Sequence, residues 1–79
     1  MPDYSEFAWA PFYTHGQPVP NIYIGGVART RRSARESLGK IYAHAGETPM
    51  QGWKRAYRIG WRIVRVIVDL APYQGANYD

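Results

Sequence analysis

The stretch KRAYRIGWRIVRVIV, residues 54–68, decides the fold because it can form either one long basic helix or a helix followed by a strand. Gly60 counts against the long helix, since glycine in a helix interior costs about 1 kcal/mol relative to alanine. Five β-branched residues follow within 63–68, and they add roughly 2–3 kcal/mol against a helix while favouring a strand. We therefore predict that the helix ends at Gly60 and that a strand follows.

The alternative, a helix that continues through Gly60, has support of its own. Five residues would then form a coiled-coil-like seam at spacings of four, three, four and three: Tyr57, Trp61, Val64, Val68 and Ala71. The same helix would align four arginines in one stripe: Arg55, Arg58, Arg62 and Arg65. The predicted break instead leaves the first two arginines on the helix and points Arg62 and Arg65 to opposite faces of the strand.

The N-terminal third of the chain predicts two short strands. Residues 5–13, SEFAWAPFY, alternate loosely, and Pro11 marks an edge or a break. Three aromatic residues share one side of this strand: Phe7, Trp9 and Tyr13. Residues 14–21 have the composition of a loop. Residues 22–28, IYIGGVA, predict a second strand, in which the Gly25-Gly26 pair indicates a bulge or a close approach of the backbone.

The first helix is predicted from a capping box and an apolar stripe. Ser33 and Glu36 have the spacing at which each side chain bonds the other's backbone amide. The apolar face follows the helical period: Ala34, Leu38, Ile41, Tyr42 and Ala45. Glu36 also pairs with Lys40 one turn on, and Gly46 is predicted to close the helix.

The second helix opens with Thr48 as its cap, Pro49 at its first position and Gln51 to complete a second capping box. Its inner face is predicted to be apolar and to enter the core: Met50, Trp53 and Tyr57. Its outer face is predicted to be basic: Lys54, Arg55 and Arg58. For Tyr23 and Trp61, the sequence leaves open whether they are core or surface.

These elements give the order β-β-α-α-β in a single compact domain, residues 1–79. The predicted fold class is α+β, with a small, three-stranded, mostly antiparallel sheet and both helices on one face. The last strand, as the most hydrophobic, is predicted to be central. The tail after Pro72 is predicted to be irregular.

Charge is strongly segregated along the chain. All ten Lys and Arg residues lie between Arg29 and Arg65, where only Glu36 and Glu47 are acidic, so this segment carries a formal charge of +8. Such a field attracts a polyanion or an acidic protein surface. The absence of cysteine fits a reducing cytoplasm. No N-terminal signal is visible and no apolar run approaches the roughly 20 residues of a membrane span, so we expect a soluble cytoplasmic protein.

Residues that carry chemistry are sparse. His15 and His44 are the only histidines, and a metal site needs three or four ligands. The three serines lie in no nucleophile motif, the six acidic residues are dispersed, and the glycines form no phosphate-binding loop. We therefore predict no metal, no cofactor and no small-molecule substrate, and expect that the protein is not an enzyme.

The informative pattern is arginine interleaved with aromatic residues. Arginine's planar fork makes two-point contacts with carboxylates and phosphates and stacks on rings. Exposed aromatics beside such arginines would form a platform for bases or a protein hot spot. Eight basic residues are predicted to bind the partner: Arg29, Arg31, Arg32, Arg35, Lys54, Arg55, Arg58 and Arg62.

The stretch GETPMQGWKRAYRIGWRIVRV, residues 46–66, in a short cysteine-free chain without a catalytic signature, resembles the small orphan proteins of bacteriophages and mobile elements, in particular anti-CRISPR proteins. The resemblance is one of profile, not of motif. It implies a protein of the bacterial host cytoplasm that binds a CRISPR effector complex and blocks its access to target DNA. The basic segment departs from the acidic members that mimic DNA, and it suits an acidic protein surface, the guide RNA or DNA.

A second hypothesis is a direct nucleic-acid-binding domain, with the basic helix 49–59 on the phosphate backbone. Such contacts are strongly salt-dependent. Against this hypothesis, only Gln51 among base-reading residues is predicted on the exposed side, and no RNA-binding signature is present. Membrane-surface binding is a weaker third hypothesis, because the aromatic face of that helix is needed for the core.

Overall fold

The computed structural model describes residues 5–15 and 21–69. Their elements are, in chain order, strand β1 (Ser5–Tyr13), a 3-10 turn (Ile24–Gly26), helix α1 (Arg31–Tyr42), helix α2 (Pro49–Arg58) and strand β2 (Trp61–Asp69). β1 and β2 pair antiparallel over their full lengths, from Ser5 opposite Asp69 to Tyr13 opposite Trp61. The α+β class is thus confirmed, and so is the predicted strand 5–13. Predicted features at residues 14–21 and after Asp69 lie largely outside the described residues.

The break at Gly60 is confirmed. α2 ends at Arg58, and Gly60 has a φ of +117°, a conformation that residues with a side chain rarely adopt. β2 begins at the next residue. The Gly60 carbonyl accepts hydrogen bonds from the Thr14 amide at 3.0 Å and the Thr14 hydroxyl at 2.7 Å. The corner is therefore tied to the end of β1, and the continuous helix is excluded.

The predicted three-stranded sheet is wrong: within residues 5–15 and 21–69 the sheet has two strands, β1 and β2. The segment predicted as the second strand forms a 3-10 turn at Ile24–Gly26, and its strand-type pairing with β1 is limited to isolated bridges, Phe12 with Ile22 and Trp9 with Ala28. Gly26 allows this close approach, because a Cβ there would lie 2.7 Å from Pro11 Cγ. Residues 22–28 lie along the edge of β1 that does not pair with β2. β1 is therefore the inner strand, and the prediction that the last strand is central is wrong.

Hydrogen bonds on that far side explain why Pro11 is tolerated within β1. Trp9 and Ala28 exchange two backbone hydrogen bonds of 2.8 Å, and the Pro11 carbonyl accepts from the Tyr23 amide at 3.0 Å. Backbone groups alternate in direction along a strand, so the Pro11 nitrogen faces away from β2. Its missing N–H therefore removes no bond from the β1–β2 ladder.

Both helices start at threonine caps. Thr30, not Ser33, caps α1: its hydroxyl accepts from the Ser33 amide at 3.1 Å, while Glu36 accepts from Arg32 at 2.9 Å. α1 ends at Tyr42, short of the predicted Ala45. The capping box of α2 is confirmed, since Thr48 and Gln51 bond each other's backbone amides at 3.2 and 2.7 Å.

The helices pack through glycine. A Cβ on Gly39 would meet the Pro49 carbonyl of α2, and one on Gly52 would meet the Gly39 carbonyl of α1. Such an approach of two backbones is open only to residues without a side chain. Beside it lies a small core cluster of three buried residues: Leu38, Trp53 and Ala56.

The predicted core is confirmed at Ala34, Leu38 and Trp53 and wrong at Ile41, Met50 and Tyr57, which are 58%, 37% and 49% exposed. Tyr23 and Trp61, left open by the sequence, are half-buried and pack against the core. The Trp61 indole also donates to the Tyr42 hydroxyl at 2.9 Å.

The helices cover only part of the sheet face that they pack on. Trp61 and Ile63 of β2 contact the core at one end of that face. Two residues farther along the same face are exposed and lie opposite each other, Phe7 at 59% and Ile67 at 56%. This open end of the sheet is where the candidate site lies.

Candidate macromolecule-binding surface

Three of the eight predicted binding residues are engaged in ion pairs. Arg29 lies 3.4 Å from the Glu6 carboxylate, Arg32 lies 2.9 Å from that of Glu36, and Arg55 lies 2.7 Å from that of Glu47. The first two pairs are well exposed, and isolated exposed ion pairs contribute little to stability. These two arginines can therefore exchange their carboxylate for another anion at small cost.

Arg55 is held differently, because three acceptors surround its guanidinium. Both Glu47 oxygens accept from it at 2.7 and 2.9 Å, and the Tyr42 carbonyl at the end of α1 accepts at 2.7 Å. Glu47 also accepts from the His44 amide at 2.7 Å. Arg55 therefore braces the turn between the helices. Changing it would disturb the fold as well as the surface, so it does not test binding cleanly.

The Glu47–Arg55 pair is expected to make the free energy of unfolding depend on pH in the acid range. The hydrogen bonds from Arg55, and then from the His44 amide, lower the pKa of Glu47 from 4.5 to about 2. The depressed pKa means that the pair stabilises the fold fully above pH 4.5 and that this contribution is lost as the pH falls towards 2. We expect the Tm advantage of the wild type over Glu47→Gln to shrink over that interval. Thermal unfolding at several pH values measures it.

The control for that prediction is Arg55→Gln. In this background the Glu47→Gln substitution should cost little at any pH, because the carboxylate has lost its main partner. A Tm difference that stays constant from pH 5 to pH 2 in the otherwise wild-type chain would contradict the assignment.

The exposed side of α2 carries Lys54, Tyr57 and Arg58, which we call the α2 face. The Arg62 guanidinium lies 3.7 Å from the centre of the Tyr57 ring and donates to the Tyr57 carbonyl at 2.9 Å. Arg62 thus closes the end of α2 while leaving its charge near the surface. Lys54 and Arg58 make no ion pair with any acidic residue that the structure describes.

At the open end of the sheet, two arginines converge on one tryptophan. Arg31, in the first turn of α1, has its Cζ 4.4 Å from the Trp9 ring centre, and Arg65 of β2 lies 5.1 Å from the same centre. Arg65 also lies 4.8 Å from the Phe7 ring. We call Phe7, Trp9, Arg31 and Arg65 the arginine–aromatic cluster. Cation–π attraction offsets part of the repulsion between the two guanidinium groups.

Sequence reasoning missed most of this cluster. It included Arg31 but set Arg65 aside, and it treated Phe7 and Trp9 only as strand residues. The available signal was side-chain alternation, which puts Trp9 and Arg65 each on a definite face of its strand. Their contact also depends on the strand register, which places Trp9 opposite Arg65. That register cannot be predicted from the sequence of either strand alone.

Other features of the described residues offer less chemistry. An open cleft of about 330 Å³ is lined by Tyr13, Asn21, Ile22, Tyr23 and Trp61. Across residues 5–15 and 21–69, no three His, Asp or Glu side chains gather as a metal ion would require. No helix in those ranges has the length and apolar character needed to cross a membrane.

The chain matches no protein-family model, no curated protein and no solved structure. Function is therefore argued from the charges and contacts of its own residues. The α2 face and the arginine–aromatic cluster are the two candidate binding surfaces.

Proposed function

We propose that this protein is a non-enzymatic inhibitor that binds a CRISPR effector ribonucleoprotein and blocks target DNA binding, in the cytoplasm of a bacterial host. The observation that supports it is uncompensated positive charge. Three of the ten Lys and Arg side chains pair with acidic groups, and the other seven make no ion pair with any acidic residue in the described part of the chain. The anti-CRISPR profile of the sequence supplies the proposed target.

This charge suits a surface that is itself partly nucleic acid. Attraction between opposite charges speeds encounter and holds a small protein on a large anionic complex. Contacts to phosphate also release bound counterions, which adds affinity at physiological salt. From the predicted set, we assign the direct contacts to the side chains that lack a carboxylate partner: Arg31, Arg35, Lys54, Arg58 and Arg62.

Direct binding to free nucleic acid is the second candidate, and the α2 face favours it. Lys54 and Arg58 lie one turn apart on the exposed side of a helix, a spacing that lets both reach one phosphate backbone. This mode requires no effector protein and would act on duplexes of any sequence.

The test of the main proposal is phage plating on bacteria whose CRISPR system targets the phage, over strains that carry different effector types. We expect expression of the wild type to restore plaques in at least one strain and to change nothing in strains without CRISPR. The purified protein should then capture that effector and prevent its shift of labelled target DNA. Restoration in none of the strains would overturn the proposal.

Two charge-matched variants locate the surface. Lys54→Gln with Arg58→Gln removes two positive charges from the α2 face, and Lys40→Glu changes the net charge equally on α1. We expect the first to weaken effector binding at least about tenfold, equivalent to 1.4 kcal/mol, and the second to bind as the wild type. Equal loss in both would show that net charge alone matters. Tight binding to generic duplex DNA, with no effect on plating, would favour the second candidate.

A further inference from the structure

We infer that the arginine–aromatic cluster, extended by Ile67, is a binding site for single-stranded nucleic acid. This names the part of a ribonucleoprotein that the cluster contacts, and so it rests on the proposed function for its biological setting. The site itself consists of five side chains, and its binding can be measured on the protein alone.

The Phe7 ring offers a stacking surface. Phe7 is 59% exposed, and among the described residues its ring contact is with the Arg65 guanidinium, which covers one part of it. A base can stack on the open ring, whatever its sequence, because every base has a π face. Ile67 lies directly opposite Phe7 on the neighbouring strand and widens the apolar floor on which a base would rest.

The arginines supply sites for phosphate. Because Arg31 and Arg65 lie over one Trp9 ring, their Cζ atoms can be at most about 10 Å apart, the sum of 4.4 and 5.1 Å. Neither has an ion pair with a described acidic residue. The two like charges repel each other, and an anion that takes two-point contacts from either guanidinium would reduce that repulsion.

The size and shape of the cluster favour an unpaired strand over other partners. A stable protein interface needs about 20–30 residues on each side, and this cluster with Ile67 has five. Duplex DNA is read by a helix or a two-stranded ribbon that enters a groove, whereas here α1 packs on the same face of the β1–β2 ribbon and its Arg31 lies over Trp9. Aromatic rings among arginines on a sheet are the arrangement that receives splayed bases of single strands.

The experiment measures fluorescence polarisation of labelled twelve-nucleotide oligo(U) and oligo(dT) over a salt series. We expect Phe7→Ala to weaken binding about 5- to 150-fold, the usual effect of losing one stacked base. Its control is Ile24→Ala, an exposed apolar residue of the 3-10 turn that is not part of the cluster. The double substitution Arg31→Gln with Arg65→Gln should make the slope of log K against log salt less steep by about 1.4. Its charge-matched control is Lys40→Glu.

Several results would overturn the inference. The first is that neither oligonucleotide binds at physiological salt, and the second is that Phe7→Ala binds as tightly as the wild type. The third is that the arginine double variant and Lys40→Glu lose affinity equally. If the cluster variants lose effector inhibition while the wild type binds no oligonucleotide, the cluster contacts protein, and only the proposed function stands. If oligonucleotide binding behaves as expected but plating is never restored, the inference stands and the proposed function fails.

Discussion

Replacement of Gly52 by alanine is expected to destabilise the protein strongly, although alanine is the better helix former. In a helix interior alanine is favoured over glycine by about 1 kcal/mol, so propensity alone predicts a gain. Packing predicts the opposite. A Cβ on Gly52 would meet the Gly39 carbonyl and lie 2.7 Å from the Ala43 nitrogen, and no rotamer change can move these backbone atoms.

Relief of that clash would require α1 and α2 to move apart. The movement would loosen the contacts of Leu38, Trp53 and Ala56, the buried cluster beside the crossing. Overpacking of this kind costs typically 1–3 kcal/mol and more where backbone must shift. We expect a net loss of about 2–4 kcal/mol, which lowers Tm by about 10–30 °C in a domain of this size.

Gly39→Ala should behave in the same way, because its Cβ would meet the Pro49 carbonyl and lie 2.8 Å from the Pro49 carbonyl carbon. Gly46→Ala is the matched control. Gly46 has a φ of +83° but nothing within 4 Å of an added Cβ, so its substitution carries backbone strain alone, about 1–2 kcal/mol. Equal or higher Tm values for the Gly39 and Gly52 variants would mean that the helices are not in backbone contact.

Substitution of Gly60 by alanine is expected to have the second largest effect. At a φ of +117° a residue with a side chain is strained by about 1–3 kcal/mol. The added Cβ would also meet the His15 ring and lie 3.1 Å from the Thr14 hydroxyl oxygen, which bonds the Gly60 carbonyl. We expect a Tm loss of roughly 5–20 °C by thermal denaturation.

A double-mutant cycle with His15→Ala separates the two causes. His15 is exposed, so its ring can move away at little cost, and most of the loss should come from the backbone. We therefore expect Gly60→Ala to remain destabilising when His15 is already alanine. Full recovery of stability in the double variant would assign the effect to the ring contact instead.

Local signals in the sequence were strong enough to predict the elements that they encode. Thr48, Pro49 and Gln51 start α2 as expected, and Gly60 with the β-branched run after it sets the corner. These features act through neighbouring backbone atoms, so no distant contact is needed to interpret them. The predicted cap at Ser33 is wrong because a second local signal competes with it. Thr30, three residues earlier, also has a hydroxyl that can cap the helix, and it is the residue that does so.

Features that depend on distant contacts were not predictable. The Gly25-Gly26 pair fits a bulged strand as well as a turn, and only the approach to Pro11 decides for the turn. Arg55 looks like any exposed helix arginine until the turn between the helices brings Glu47 to it. In both cases side-chain type was informative, but the partner was set by tertiary structure.

The candidate site shows the same division. Arginine and aromatic enrichment predicted the chemistry of a binding surface. The cluster around Trp9 depends on the β1–β2 register, which joins residues from opposite ends of the described chain. A register that is fixed by the whole fold is not encoded by either strand on its own.

The pairing of β1 with β2 also determines when the fold can form during synthesis. Even its shortest connection, Tyr13 to Trp61, closes a loop of about 48 residues, the difference between the two positions. At a translation rate of 5–20 residues per second, β1 would wait about 2–10 s for β2 to be made. During that interval the helices can form and pack locally, whereas Phe7 and Trp9 stay without their sheet partners. The nascent chain therefore exposes its aromatic strand first and pairs it with β2 last.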